Sequence, residues 1–168
     1  MPVIMKTICT LLIINLFVMA TATAQDTARY IKTNTGYLMV LRQGDDIFKQ
    51  LEAFAEKEKI PSASFTGFGF VNATFGYFNR ETKKYEPKEF SNMELSGMNG
   101  SIAWQKGKVS LHTHGTVTDK DFNAFGGHML GGTVGTGSLE ITVIVHPQQL
   151  ERVFEEPLGA NVLSLEKK

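Results

Sequence analysis

Cysteine is almost missing. The 168-residue chain has a single one, Cys9, and it lies inside a leader-like stretch. The rest of the chain has neither disulfides nor thiolate metal ligands, so the fold rests on packing, or on packing plus association. A surplus of positive charge is missing too: 17 Lys and Arg stand against 17 Asp and Glu. Nucleic-acid binders carry a basic excess to displace the counterions of phosphate, and this composition argues against that class. No apolar run reaches the roughly 20 residues that cross a bilayer comfortably. The glycines form no G-x-G-x-x-G between a strand and a helix, there is no P-loop lysine, and G-x-S-x-G does not occur. Neither a phosphate cradle nor a serine nucleophile is signalled, and Ser110 reads as pointing away from the nearby histidines with no evident base. Internal repeats and low-complexity linkers are also absent.

The leader is Lys6 followed by an apolar stretch from Leu11 to Ala20 and the small residues Ala22, Thr23 and Ala24. A positive start, a short apolar core and an A-x-A end predict an export signal, residues 1–24, cleaved after Ala24. The protein is then expected to be exported, periplasmic or extracellular. Removing 24 of 168 residues leaves 144, residues 25–168, enough for one domain with its own core. Cleavage takes away Lys6 and no acid, which brings the net charge to about −1.

Along that domain, Tyr37–Arg42 reads as a strand opened by Gly36. Asp45 or Asp46 is placed to cap a helix on which Ile47, Leu51, Phe54 and Ala55 form one apolar stripe, running to about Lys59 and stopped by Pro61. The aromatic and glycine-rich stretch from Ser62 to Phe78 predicts two strands with a bend near Gly67–Gly69, contributing mostly to the core and partly to a subunit interface. Asn79–Pro87 reads as a hairpin tip. Lys88–Leu95 and Ser101–Trp104 read as strands flanking a glycine-rich segment, with a turn at Gln105–Lys108. Val109–Val117 and Leu139–Val145 are strands, Thr118–Asn123 a polar loop, Gln148–Glu156 a short helix and Val162–Leu165 a last strand. One helix followed by many strands predicts an α+β fold with a mostly antiparallel sheet.

The chemistry-bearing residues lie toward the C-terminal end, where all four histidines fall between residues 112 and 146: His112, His114, His128 and His146. His112 and His114, two apart on a strand, leave the same face and are spaced to grip one metal ion. His128 follows the pair Gly126–Gly127, where the backbone can turn sharply or approach closely. The loop Thr118–Asn123 could bring it back over the strand. Three neutral imidazoles with an open fourth position can polarise a water or a substrate oxygen. The alternative is two half-exposed strand histidines and an unrelated third. Glu140, a lone charge in an apolar strand, is the candidate catalytic base, fourth ligand or partner of an imidazole N–H, or else an exposed strand residue. Asp119 and Asp121 read as solvated turn residues, and His146 as a surface residue beside Pro147.

These pieces, in order, resemble the PPC domain family (plant and prokaryote conserved, also called DUF296). The resemblance is carried by Gly44-Asp45-Asp46-Ile47, Ile60-Pro61-Ser62-Ala63-Ser64 and the segment from Glu94 to Ile102. Its most specific part is Leu111-His112-Thr113-His114, then Gly126-Gly127-His128-Met129-Leu130, Val134 and Leu139-Glu140-Ile141. The resemblance implies a largely antiparallel α+β fold, assembly as a homotrimer, and one cluster of His112, His114 and His128 near a subunit boundary. Plant relatives couple the domain to AT-hooks, and prokaryotic members carry a DNA-binding label. This chain has no Arg-Gly-Arg-Pro hook.

The expectation is an exported trimer that binds a divalent metal, zinc first, through those three histidines. Copper, nickel and iron suit the same ligands. Rival expectations are a small-molecule or protein-binding module without metal, a metal-dependent hydrolase or lyase with Glu140 or Asp119 as base, and, last, DNA binding.

Overall fold

The computed structural model describes residues 28–166. The predicted export signal lies outside the described residues.

The elements run β1 (Tyr30–Lys32), β2 (Gly36–Arg42), α1 (Ile47–Lys57), β3 (Ser62–Asn79), β4 (Lys84–Gln105), β5 (Lys108–Thr118), β6 (Ala124–His146), β7 (Glu151–Glu155) and β8 (Ala160–Ser164). Asp46 is the N-cap, its Oδ1 accepting from the Lys49 backbone N–H at 3.1 Å. The predicted stripe of Ile47, Leu51, Phe54 and Ala55 is buried, with Phe54 edge-on to Tyr30 and Tyr37 at 4.9 Å each.

The sheet is antiparallel apart from a parallel touch of β7 on β4 at Trp104–Glu151, and its order is β1-β2-β6-β3-β4-β7-β8. β5 pairs with both β4 and β6. The pairings β3–β4, β4–β5, β5–β6 and β6–β3 therefore run in a closed ring. Closure leaves these four long strands without a free edge along their shared lengths. Phe65, Leu95, Met98, Met129, Leu139 and Ile141 are fully buried and join the α1 stripe in one core. The α+β expectation, mostly antiparallel with one helix near the start, matches this architecture.

Three local expectations are corrected. The two strands expected between Ser62 and Phe78 are one, whose bend survives as register shifts at Gly67/Gly69 and Val71/Ala73. The glycine-rich segment 96–100, expected between strands, lies inside β4, and the glycines of 126–137 lie inside β6. Glycine has no side chain to alternate, so a period-2 pattern is invisible there although the backbone pairs throughout. The short helix expected over Gln148–Glu156 is a strand, β7. The edge of β4 captures it, the Trp104 N–H donating to the Leu150 carbonyl at 2.9 Å, and β8 pairs along its other side. Pairing along the full length of β8, with one contact to β4, overrides local helical preference.

Candidate metal centre

β5 and β6 form a hairpin around residues 119–123, and Asp119 shapes its tip. Its Oδ1 accepts from the backbone N–H groups of Asp121 and Asn123, both at 2.9 Å, and its Oδ2 accepts from the Asn123 side-chain amide at 3.0 Å. These bonds, Asn123 foremost, hold the Asp119 carboxyl below its ordinary range. Asp119 is thus more than a solvated turn residue. Its loop sets a register in which Thr118 faces Ala124 and His114 faces His128.

The Gly126–Gly127 pair has two separate jobs beside His128. A Cβ on Gly126 would collide with the carbonyl oxygen of Gly115, so β5 and β6 approach as they do only because it is glycine. Gly127 holds φ +146°, which L side chains rarely adopt.

The outcome is a triangle of imidazoles. The ring centroids of His112, His114 and His128 are 5.2 Å apart in every pair. One ring nitrogen from each can be chosen so that all lie within 4.8 Å of one another. Tetrahedral zinc with Zn–N bonds of about 2.0–2.1 Å holds its nitrogens roughly 3.4 Å apart, so inward ring rotations would bring the three imidazoles to zinc distance and leave the fourth position open. His112 and His114 are exposed and His128 is half-buried, leaving one side of the triangle open to water. His128 is fixed from behind by Tyr85, stacked at 4.6 Å and 13° between planes.

Burial pushes His128 down to about 4, with the neighbouring His112 and His114 adding to the effect. Burial also lowers His112, helped by the positive Arg152 and by His114. Both rings are therefore neutral near pH 7, the form that offers a lone pair to a metal.

Other candidate residues lie elsewhere. Glu140 is exposed on β6 opposite Val40 and Phe68 and lines a different cavity, with Glu94 and Ser138. His146 ends β6 opposite Ser62 and is half-buried rather than at the open surface. Asp121 is at the hairpin tip, paired with Lys120 at 2.8 Å. Ser110 corrects an expectation: two positions from His112, it shares that residue's strand face and lines the same cavity. Sequence reasoning missed Tyr85 and Arg152, the latter donating from Nη2 to the Ser101 hydroxyl at 2.7 Å. Ser101 is the register partner of His112. Neither residue carries a local signal, because both reach the site through strand pairings distant in sequence.

A model of the Plants and Prokaryotes Conserved (PCC) domain matches residues 28–147. No curated protein matches the chain. Among solved structures, a candidate DNA-binding protein from Ralstonia eutropha JMP134 is 55% identical with a TM-score of 0.81, covering 83% of this chain and 97% of its own. A candidate DNA-binding protein from Bacteroides thetaiotaomicron is 32% identical with a TM-score of 0.77, covering 82% and 97%. A metal-containing protein from Archaeoglobus fulgidus is 28% identical with a TM-score of 0.68, covering 79% and 96%.

Proposed function

Because this chain belongs to the Plants and Prokaryotes Conserved domain family, we propose that its conserved-domain sheet serves as a metal-binding scaffold, with His112, His114 and His128 holding one divalent transition-metal ion. The observation that carries this reading is the convergence of three ring nitrogens within 4.8 Å. The metal-containing relative from Archaeoglobus fulgidus supports it. Imidazoles without thiolate favour zinc, with copper, nickel and iron as competitors. The solvent-open side of the triangle suits a centre that keeps a coordination position for water or a substrate oxygen.

The test is the metal content of the purified protein by mass spectrometry. About one equivalent is expected in the wild type and less than about a tenth in His112→Ala/His114→Ala, since the ion is left with one of its three imidazoles. Equal metal in both proteins would sink the proposal.

Two further parts of the reading rest on other observations. Export is supported by Lys6, the apolar stretch and Ala22–Ala24; an N-terminus beginning at Gln25 in protein recovered from outside the cytoplasm is the expected result. Homotrimer assembly is supported by the apolar residues that β2, β3 and β6 leave on the outer sheet face: Leu38, Phe68 and Ile144. DNA is not the proposed partner. Two relatives are named for it, but this chain has no excess of basic over acidic side chains.

A further inference from the structure

Beside the histidine triangle lies a cavity of about 520 Å³, within the size range of small-molecule sites. His112 and His128 form part of its wall, and the β7–β8 hairpin, which lies past the family-model match, forms another part. Arg152 stands in that wall and is only 5% exposed. Its Nη2 donates to Ser101, but its buried Nε–H has no partner. Among the described residues no carboxylate pairs with it, and no acidic residue lines the cavity.

A guanidinium taken out of water without a counter-ion is costly to the fold, and packing alone would be served as well or better by an apolar side chain. Arginine's planar fork of N–H donors matches the two oxygens of a carboxylate. The Nε–H is a donor that no protein group satisfies, but it is covered and Nη2 already bonds Ser101, so a carboxylate takes the fork only as the side chain shifts toward the cavity. Ser101 and Ser110 line the same cavity, the Ser101 hydroxyl held by Arg152.

We propose that this cavity binds a small organic acid, one carboxylate on Arg152 with the two serines, and a second oxygen donor directed toward His112, His114 and His128. The second half rests on the proposed metal centre, because that donor approaches its open side. The first half does not: Arg152 recognises a carboxylate with or without metal.

The experiment is calorimetric titration of malonate, succinate, acetate and inorganic phosphate into zinc-loaded and chelator-treated protein. Malonate or succinate is expected to bind the zinc-loaded form at least about tenfold more tightly than the chelated form, with acetate weak in both. Arg152→Met is expected to weaken dicarboxylate binding at least about tenfold in both forms while zinc stoichiometry stays unchanged. Without ligand, Arg152→Met should melt at the wild-type temperature or above, as removal of an unpaired buried charge predicts. If Arg152→Met binds every anion as the wild type does, or melts lower with no difference in anion binding, Arg152 is structural and the proposal is overturned. Binding of phosphate alone would overturn the carboxylate class. Should Arg152→Met not fold, Arg152→Lys replaces it: the charge stays, the fork is lost, and wild-type affinity would overturn the proposal. A protein that takes up no zinc yet binds malonate through Arg152 defeats the metal reading alone. A protein that takes up zinc and binds no dicarboxylate defeats this one alone.

Discussion

At the residue scale, His128 ties the candidate site to stability. Burial holds it at about 4 against the ordinary 6.5. Between those values the unfolded chain carries a proton on this ring that the folded chain refuses, so stability rises with pH across the window. The metal-free protein is therefore expected to lose a few degrees of melting temperature as pH falls from about 6.5 to 4, with no further loss from this group below that. His128→Gln should flatten the slope, and thermal melts at three or four pH values check it. An unchanged slope in the variant would mean that other groups carry the pH dependence. Tyr85 is the second residue of interest. Gly76 faces His128 across β3 and β6, and a Cβ there would lie 2.9 Å from the Tyr85 ring and 2.8 Å from Leu130. Gly76→Ala should push Tyr85 off His128 and weaken metal affinity by roughly tenfold, the scale on which supporting groups act. Competition with a chromogenic chelator measures it.

At the element scale the β5–β6 hairpin decides the site. A shift of one residue in its register would send the His128 side chain to the opposite face. Asp119 closes the tip with four hydrogen bonds to its carboxylate, so Asp119→Ala is expected to cost about tenfold in metal affinity while circular dichroism remains unchanged. Asp119→Asn, which keeps acceptor oxygen at Oδ1, should recover most of the loss. Helix α1 answers to different physics. Leu51 is wholly buried, and Leu51→Ala should cost about 2–5 kcal/mol in chemical denaturation, as cavities at such positions do. That stripe was legible in the sequence because helical spacing is local. The partner of the His-x-His pair was only half legible: alternation puts His112 and His114 on one face, but placing His128 requires a loop length and a register. β7 was not legible, since its strand character comes from pairing with β8 in a hairpin and from one contact with the β4 edge rather than from its own sequence pattern.

At the scale of the whole molecule, Phe68 and Phe70 are 58% and 45% exposed, although they belong to the aromatic stretch that reads as mostly core. Phe65 and Phe75 of the same stretch are buried. Strand alternation sorts the four: odd positions 65 and 75 face the core, and even positions 68 and 70 face outward. If Phe68 belongs to a subunit contact, Phe68→Asp should lower the mass measured by light scattering from a trimer toward a monomer. A wild-type mass of one chain would remove the interface argument.

The sequence by itself determined what depends on neighbours a few residues apart. That includes the leader-like segment, the capped amphipathic helix, most strands, the lack of thiolate ligands, and the common face of His112 and His114. Only the tertiary structure decided what depends on pairing across long loops. It closed β3 to β6 into a ring, set His128 opposite His114, stacked Tyr85 behind it, and brought Arg152 from β7 to Ser101 and the cavity beside the histidines. The reason is physical: periodicity records which face a residue occupies, whereas register and closure are settled by the energy of the whole packed sheet.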